Sequence, residues 1–220
     1  MEDKAEVPGE PSPKQRERNP ERTTRDILDA ARQEFVEHGL EGARVDRIAA
    51  RAKANKRLIY HYVGNKEALY SRVLLDAYTD IRAGETELRL EDLKPCDAMR
   101  RLVGFTFDHF EANPWFIRLL STENIHRGAY VAQIPEIQAL QSPIIARIRE
   151  TLAAGEVSGD FRRGVDPVQL YITIAGVSYF FFSNINTLSV VFDPGLATQE
   201  GRRTRRQHAI EVVLGYLCTK

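Results

Sequence analysis

From Thr23 onward the apolar positions recur every three or four residues, and stretches that alternate apolar with polar residues are nearly absent. That period belongs to helices with one buried face, so the chain is predicted to be all-α. Ile27, Leu28, Ala31 and Phe35 share a face of the first helix, which Thr23 or Thr24 can cap and Gly39 can stop. Val45, Ile48, Ala49 and Ala52 form a second short stripe. A third runs through Leu58, Ile59 and Tyr62 behind a start at Asn55, which leaves Lys53 to Asn55 as a turn. After Gly64 and Asn65 a long helix carries Leu69, Val73, Leu74, Ala77 and Ile81, and it is the natural connector, from Lys66 to about Arg82.

The pattern loosens over ETELRLEDLKP. Pro95 then opens a helix with Met99, Leu102, Val103, Phe105, Phe107 and Phe110, which Asn113-Pro114 breaks. Trp115 to Leu120 is a short apolar helix, TENIHRGAY is irregular, and a helical period returns from Ile134 to Leu152. Gly155, Gly159 and Gly164 predict a loop, and Asp166-Pro167 pairs a capping acid with Pro at the first helical position. From Leu170 to Phe192 the sequence is apolar nearly all the way round. Ser183, Asn184, Asn186 and Thr187 near its middle, and the lack of a second such segment, argue against a membrane span. A helix buried between its own domain and a twin subunit fits better, and the last helix, around Gln207 to Leu217, repeats the idea.

Charge changes the picture in one place. The chain has 31 basic and 31 acidic side chains, yet Arg44 to Lys66 holds seven basic residues (Arg44, Arg47, Arg51, Lys53, Lys56, Arg57, Lys66) against Asp46 alone, a net of +6. A neutral protein with one concentrated positive patch, carried on two short helices and a tight turn, points to local binding of a polyanion. The motif reads as a DNA-binding helix-turn-helix. Asn55, Lys56, Arg57 and Tyr60 lie on the exposed N-terminal face of the second helix, the part that reaches base edges in a major groove. Lys56 and Arg57 suit guanine; Asn55 either caps the helix or pairs with adenine, and the cap is favoured.

These residues carry a resemblance. From Arg22 to Tyr70, and above all in RLIYHYVGNKEALY, the chain resembles the TetR family of transcriptional regulators, whose usual run is "LYYHF-x-x-KEEL". The resemblance implies phosphate contacts from Tyr60 or His61 and from Lys66. Three positions depart from the family pattern. Ala43 stands where a phosphate-contacting Thr is common, so that Arg44 is left to replace it. Lys53 stands for the usual turn Gly, at a cost if its φ is positive. Tyr62 replaces a Phe, which keeps a ring in the core and gives its hydroxyl a need for a partner. The family also implies a homodimer built on the last two long helices, a palindromic double-stranded DNA operator, release by a small-molecule effector, and a connector that moves the reading heads like a lever.

The expected organisation is a disordered arm over residues 1–21, a three-helix DNA-binding domain over 22–68, and a larger α-helical ligand-binding and dimerisation domain over 69–220. Arg16 and Arg18 of the arm, with Arg22 just after it, could touch DNA, although a solvated tail is the favoured reading. Candidate effector-lining residues are Phe105, His109, Trp115, Phe116, Asn124, His126, Tyr171, Ser178, Tyr179 and Asn184, polar or aromatic side chains in otherwise apolar stretches. Such a set suits a small, flat, polar effector, and the segment from Trp115 to the Phe-rich helix resembles regulators of heterocycle and aromatic-acid catabolism.

Other classes fare worse. No nucleophile with a base, paired carboxylates or phosphate-binding Gly loop appears, so no enzyme is expected, and no cofactor. Asp108, His109, Glu111 and His126 are too poorly spaced to make a metal site the expectation. Cys96 and Cys218 are far apart in sequence and match no metal spacing, which with the absent signal peptide reads as a reduced cytoplasmic protein. The remaining alternative is an architectural DNA-binding protein or an activator without a small-molecule effector.

Overall fold

A computed structural model describes residues 20–218, and the side chain of Ser142 lies outside the description. Most of the arm, including Arg16 and Arg18, therefore falls outside the described residues. Helices run Pro20–Gly42 (α1), Val45–Arg51 (α2), Lys56–Tyr62 (α3), Lys66–Glu87 (α4), Pro95–Ala112 (α5), Pro114–Ile125 (α6), Pro135–Ser158 (α7), Pro167–Val191 (α8) and Gln199–Leu217 (α9). The fold is all-α: no β-strand occurs among the described residues.

The start signals act as local chemistry requires. Asn55, Asn65, Asp166 and Thr198 each accept a backbone N–H three residues on, at 2.8, 2.7, 2.7 and 3.1 Å, and Pro stands at the first turn of α5, α6, α7 and α8. Several boundaries differ from the sequence reading. Helix α1 opens at Pro20 rather than at the threonines, and Thr24 donates to the Pro20 carbonyl instead of capping. Gly39 does break α1, with φ of 65° and ψ of 179°. Helix α6 extends through Thr122-Glu123-Asn124 because the buried Glu123 carboxylate accepts the amides of Tyr130 and Val131, both at 2.9 Å, and so closes the following turn. Gly155 belongs to α7, not to a loop. A Cβ there would stand 2.0 Å from the Phe161 ring, so the glycine admits a close ring.

Two apolar clusters organise the chain. One joins α1, α2, α3 and the first two-thirds of α4 to Phe110, Phe116, Ile117, Leu119, Ile134 and Ile137. The other joins α5, α7, α8 and α9 through residues such as Met99, Phe107, Ile148, Ile174, Phe181 and Leu214. Helix α4 leads from the first cluster toward the second. Of the helices described, α8 alone is long and apolar enough to cross a membrane, and it is packed on α5, α7 and α9.

Candidate nucleic-acid interface and effector site

In the head, α3 is anchored by Ile59, 1% exposed, and turns Lys56, Arg57, Tyr60 and His61 outward. Asn55 spends its side-chain oxygen on the Leu58 amide, as the cap reading expects. Lys53, in the turn between α2 and α3, has φ of 50°, the left-handed region in which a non-glycine residue is strained. Tyr62, expected to keep its ring in the core, is 37% exposed and sits edge-on to His61.

The positive patch is more selective than its sequence count. Arg47 Nε donates to Glu34 Oε1 at 2.6 Å, Arg51 pairs with Glu37 at 2.8 Å, and Lys56 pairs with Asp46. Adding Glu34 and Glu37 to the count lowers the net charge from +6 to +4. Through these pairs Arg47 and Arg51 bind α2 to α1 while their side chains stay partly exposed. Burial opposes ionisation of Glu34, yet bonds from Arg47 and from the Arg44 amide hold it below its ordinary range. The Arg51 bond does the same for Glu37. Lys66 donates to the Leu40 carbonyl at 2.9 Å, which ties the start of α4 to the end of α1 and leaves two ammonium protons for another acceptor. Arg44 and Arg57 are exposed, Arg44 at the start of α2 and Arg57 in the first turn of α3.

Of the ten candidate effector residues, Phe105, His109, Phe116 and Tyr171 gather beside the second half of α4. Phe105 lies over Gly84, where a Cβ would meet its ring at 2.6 Å; His109 stands 5.9 Å from the Phe105 ring centre and 5.5 Å from that of Phe116. Tyr171 receives a bond from Arg82, which also pairs with Glu85. Burial pushes Glu85 up to about 7 despite Arg82, and Tyr171 up to about 12. His109 is lowered, first by burial and then by the Arg82 charge. Two buried nitrogens of this group, Arg82 Nε and His109 Nε2, have no hydrogen-bond partner.

Of the other six, Trp115 adjoins this group, its ring centre 5.9 Å from that of Phe116, and the rest make other contacts. The Tyr179 hydroxyl is 2.9 Å from Ser121 Oγ, and Ser178 is buried against the Ile174 carbonyl. Trp115 donates to Asn113 and lies under Arg32 of α1, 4.5 Å from the guanidinium carbon. His126 meets the Tyr130 ring edge-on. The amides of Asn124 and Asn184 donate to carbonyls of their own helices. Asp108 and Glu111 are engaged by Arg206 and Arg202 of α9, so those carboxylates do not converge with His109. The two cysteines, distant in sequence, stand with sulfurs 3.7 Å apart, and burial pushes the Cys96 thiol up to about 11.

Arg82, Glu85 and Arg147 are the residues that sequence reasoning missed. Helical spacing carried a signal for Glu85. It falls four residues after Ile81, at the next step of the apolar row through Ala77 and Ile81, and a charged group there has to be buried or break the row. Arg82, Glu85 and Arg147 line a crevice of about 270 Å³ between α4 and α7, with Thr79, Leu140 and Ile144. Pro143 on its α7 wall has no amide to return to the Ala139 carbonyl.

Residues 27–73 match the family described as bacterial regulatory proteins, tetR family, and residues 95–213 match the tetracyclin repressor-like C-terminal domain. The chain is 35% identical over 182 residues to the HTH-type transcriptional repressor NicS of Pseudomonas putida, covering 83% of this chain and 86% of that one. Among solved structures, the proposed transcriptional regulator SCO4942 of Streptomyces coelicolor superposes with a TM-score of 0.67 at 27% identity, over 89% of this chain and 98% of its own. The regulator FadR of Bacillus subtilis, solved with stearoyl-CoA, shares the fold, with a TM-score of 0.68 at 16% identity over 88% and 98% of the two chains.

Proposed function

The chain belongs to the TetR family of bacterial transcriptional regulators, and we propose that it is a cytoplasmic, homodimeric repressor that binds a palindromic operator and leaves it when a small aromatic or heterocyclic effector binds. It is a DNA-binding regulator rather than an enzyme. In this reading residues 22–68 are the DNA-binding head and 69–220 sense the effector and dimerise. The observation that carries the reading is the continuity of α4. One end is fastened to the head by Lys66 and Leu40, and the other bears the buried Arg82–Glu85–Tyr171 group. An effector changes DNA affinity only if it prefers one of two dimer geometries. A ligand beside Arg82 would bias α4, and α4 the spacing of two reading helices that must meet major grooves about 34 Å apart.

The dimer reading is supported by apolar side chains of α8 and α9 that stay exposed. Val168, Ile172 and Phe180 follow one another along α8 at 44%, 56% and 58% exposure, and Val212 and Tyr216 of α9 are exposed as well, Tyr216 with the Arg162 guanidinium over its ring. Gly176 sits within that α8 row, with open space where its Cβ would be. Glycine inside a helix costs about 1 kcal/mol relative to Ala, which a closely packed second helix offsets. Phe181 and Leu214, by contrast, are 3% and 9% exposed and belong to the subunit's own core.

The test is binding to an operator selected from random duplexes. Arg57→Ala should cost about 1–3 kcal/mol and relax sequence preference, whereas Lys66→Ala should weaken all duplexes alike. Sedimentation of the free protein at micromolar concentration should give a dimer and Phe180→Glu a monomer. Unchanged operator selectivity in Arg57→Ala, or a monomeric wild type, overturns the corresponding part.

A further inference from the structure

We propose that the crevice between α4 and α7 is the effector site and that it takes a small monocarboxylate, its carboxylate held between Arg82 and Arg147. The proposal rests on the reading of the chain as an effector-controlled repressor and adds the ligand's charge, size and place.

Charge is the first argument. Arg82 is 8% exposed, and its Nε is buried without a partner although its other nitrogens reach Glu85 and Tyr171. Arg147, on the facing helix, makes one long bond of 3.4 Å, to the Glu85 carbonyl. Two guanidinium groups thus line a pocket in which Glu85 is the one acid, and burial keeps that acid protonated up to about neutral pH. Arg82, shut away from water beside a protonated Glu85, carries positive charge that a ligand anion would compensate, with the half-buried Arg147 as second donor. A carboxylate matches the fork of a guanidinium and can accept from two of them at once.

Size and walls are the second argument. About 270 Å³ lies just below the usual span of small-molecule pockets, which begins near 300 Å³. One ring with its acid group fits; a long acyl chain does not. Leu140, Pro143 and Ile144 give that ring an aliphatic wall. Position is the third. The site is on α4 itself, sixteen residues from Lys66, so the ligand touches the connector directly. Phe105, His109 and Tyr171 then form a layer behind Arg82.

Thermal melting and titration calorimetry with benzoate, furan-2-carboxylate and their primary amides test this, using the full-length protein. The carboxylates should raise the melting temperature and bind at least tenfold more tightly than the amides. Arg147→Gln, a half-buried position, should melt as the wild type does without ligand yet bind both acids at least tenfold more weakly, and Arg147→Lys should recover part of the loss. Equal binding of acid and amide, no stabilisation by either acid, or unchanged affinity in Arg147→Gln would overturn the proposal. Operator binding by the unliganded protein is measured alongside. If it persists while the carboxylates fail, the ligand class is wrong and the repressor reading stands; if it is absent, the repressor reading fails first.

Discussion

Glu34 in the head and Glu85 on the connector each face an arginine, yet Glu34 is held below the ordinary carboxylate range and Glu85 is pushed up to about 7. Both side chains are out of contact with water. The difference lies in depth and donors. Glu34 sits under a thin cover near the surface and accepts from Arg47 and from the Arg44 amide, so bonding outweighs desolvation. Glu85 lies deep between helices, and there desolvation outweighs Arg82 and Tyr171 together. The same ion pair is a fastener in one region and a titrating, replaceable contact in the other. A head that must hold a fixed reading surface gains from the first arrangement. A sensing core gains from the second, because a pair that is poorly stabilised internally is open to competition by a ligand.

The largest expected effect comes from breaking the two pairs in parallel. Arg82→Leu removes a cause that lowers Glu85, so the orphaned carboxyl should hold its proton to still higher pH; the loss should be about 3–5 kcal/mol at pH 8, where folding must protonate a carboxylate that the unfolded chain holds ionised, and less at pH 6. Arg47→Leu should lose about 1–3 kcal/mol, since Glu34 keeps the Arg44 amide. Equal losses in chemical denaturation would erase the contrast. A smaller effect is expected on the pH profile. The folded protein holds the Glu85 proton up to about pH 7, and the unfolded chain releases it near 4.5, so the folded state binds more protons across that window. Stability should therefore fall as pH rises from 4.5 through 7, and Glu85→Gln should flatten that slope in melting curves; a slope unchanged in Glu85→Gln would refute it. The smallest concerns Trp115, which links α6 to Arg32 of α1 at a contact worth about 0.5–1 kcal/mol. Trp115→Ala should leave operator affinity within about twofold and weaken effector-driven release. Equal release in gel-shift titration would exclude it from the coupling.

Much of the architecture was legible because its signals are local. Asn55, Asp166 and the prolines at helix starts act through neighbours within four residues. What was illegible depends on partners far along the chain. The first turns of α9, QEGRRTRRQH, carry no apolar stripe, and Arg202 and Arg206 are held by Glu111 and Asp108 nearly a hundred residues away. Gly155 reads as a breaker until Phe161 is seen lying on it. The candidate site divides in the same way. The reading helix follows from spacing and charge, but Glu34 and Glu37, which neutralise part of the patch around it, lie two helices upstream, on α1. On the effector side, aromatic residues drew attention, while Arg82 and Arg147 looked like ordinary helix-surface cations.

The first apolar cluster does not stop at the end of the reading head. It runs from Ile27, Phe35 and Ile59 through Leu74 and Ile81 to Phe116, Leu119 and Ile137 as one contiguous set of buried apolar side chains. A hybrid regulator made by cutting such a protein after α3 and grafting on a relative's remainder would slice through that core, exposing Ile27 and Phe35 on one piece and Phe116 and Leu119 on the other. Exchange of operator specificity between relatives is therefore expected to succeed by repainting the outer face of α3, at Lys56, Arg57 and Tyr60, and to fail by transplanting the head whole.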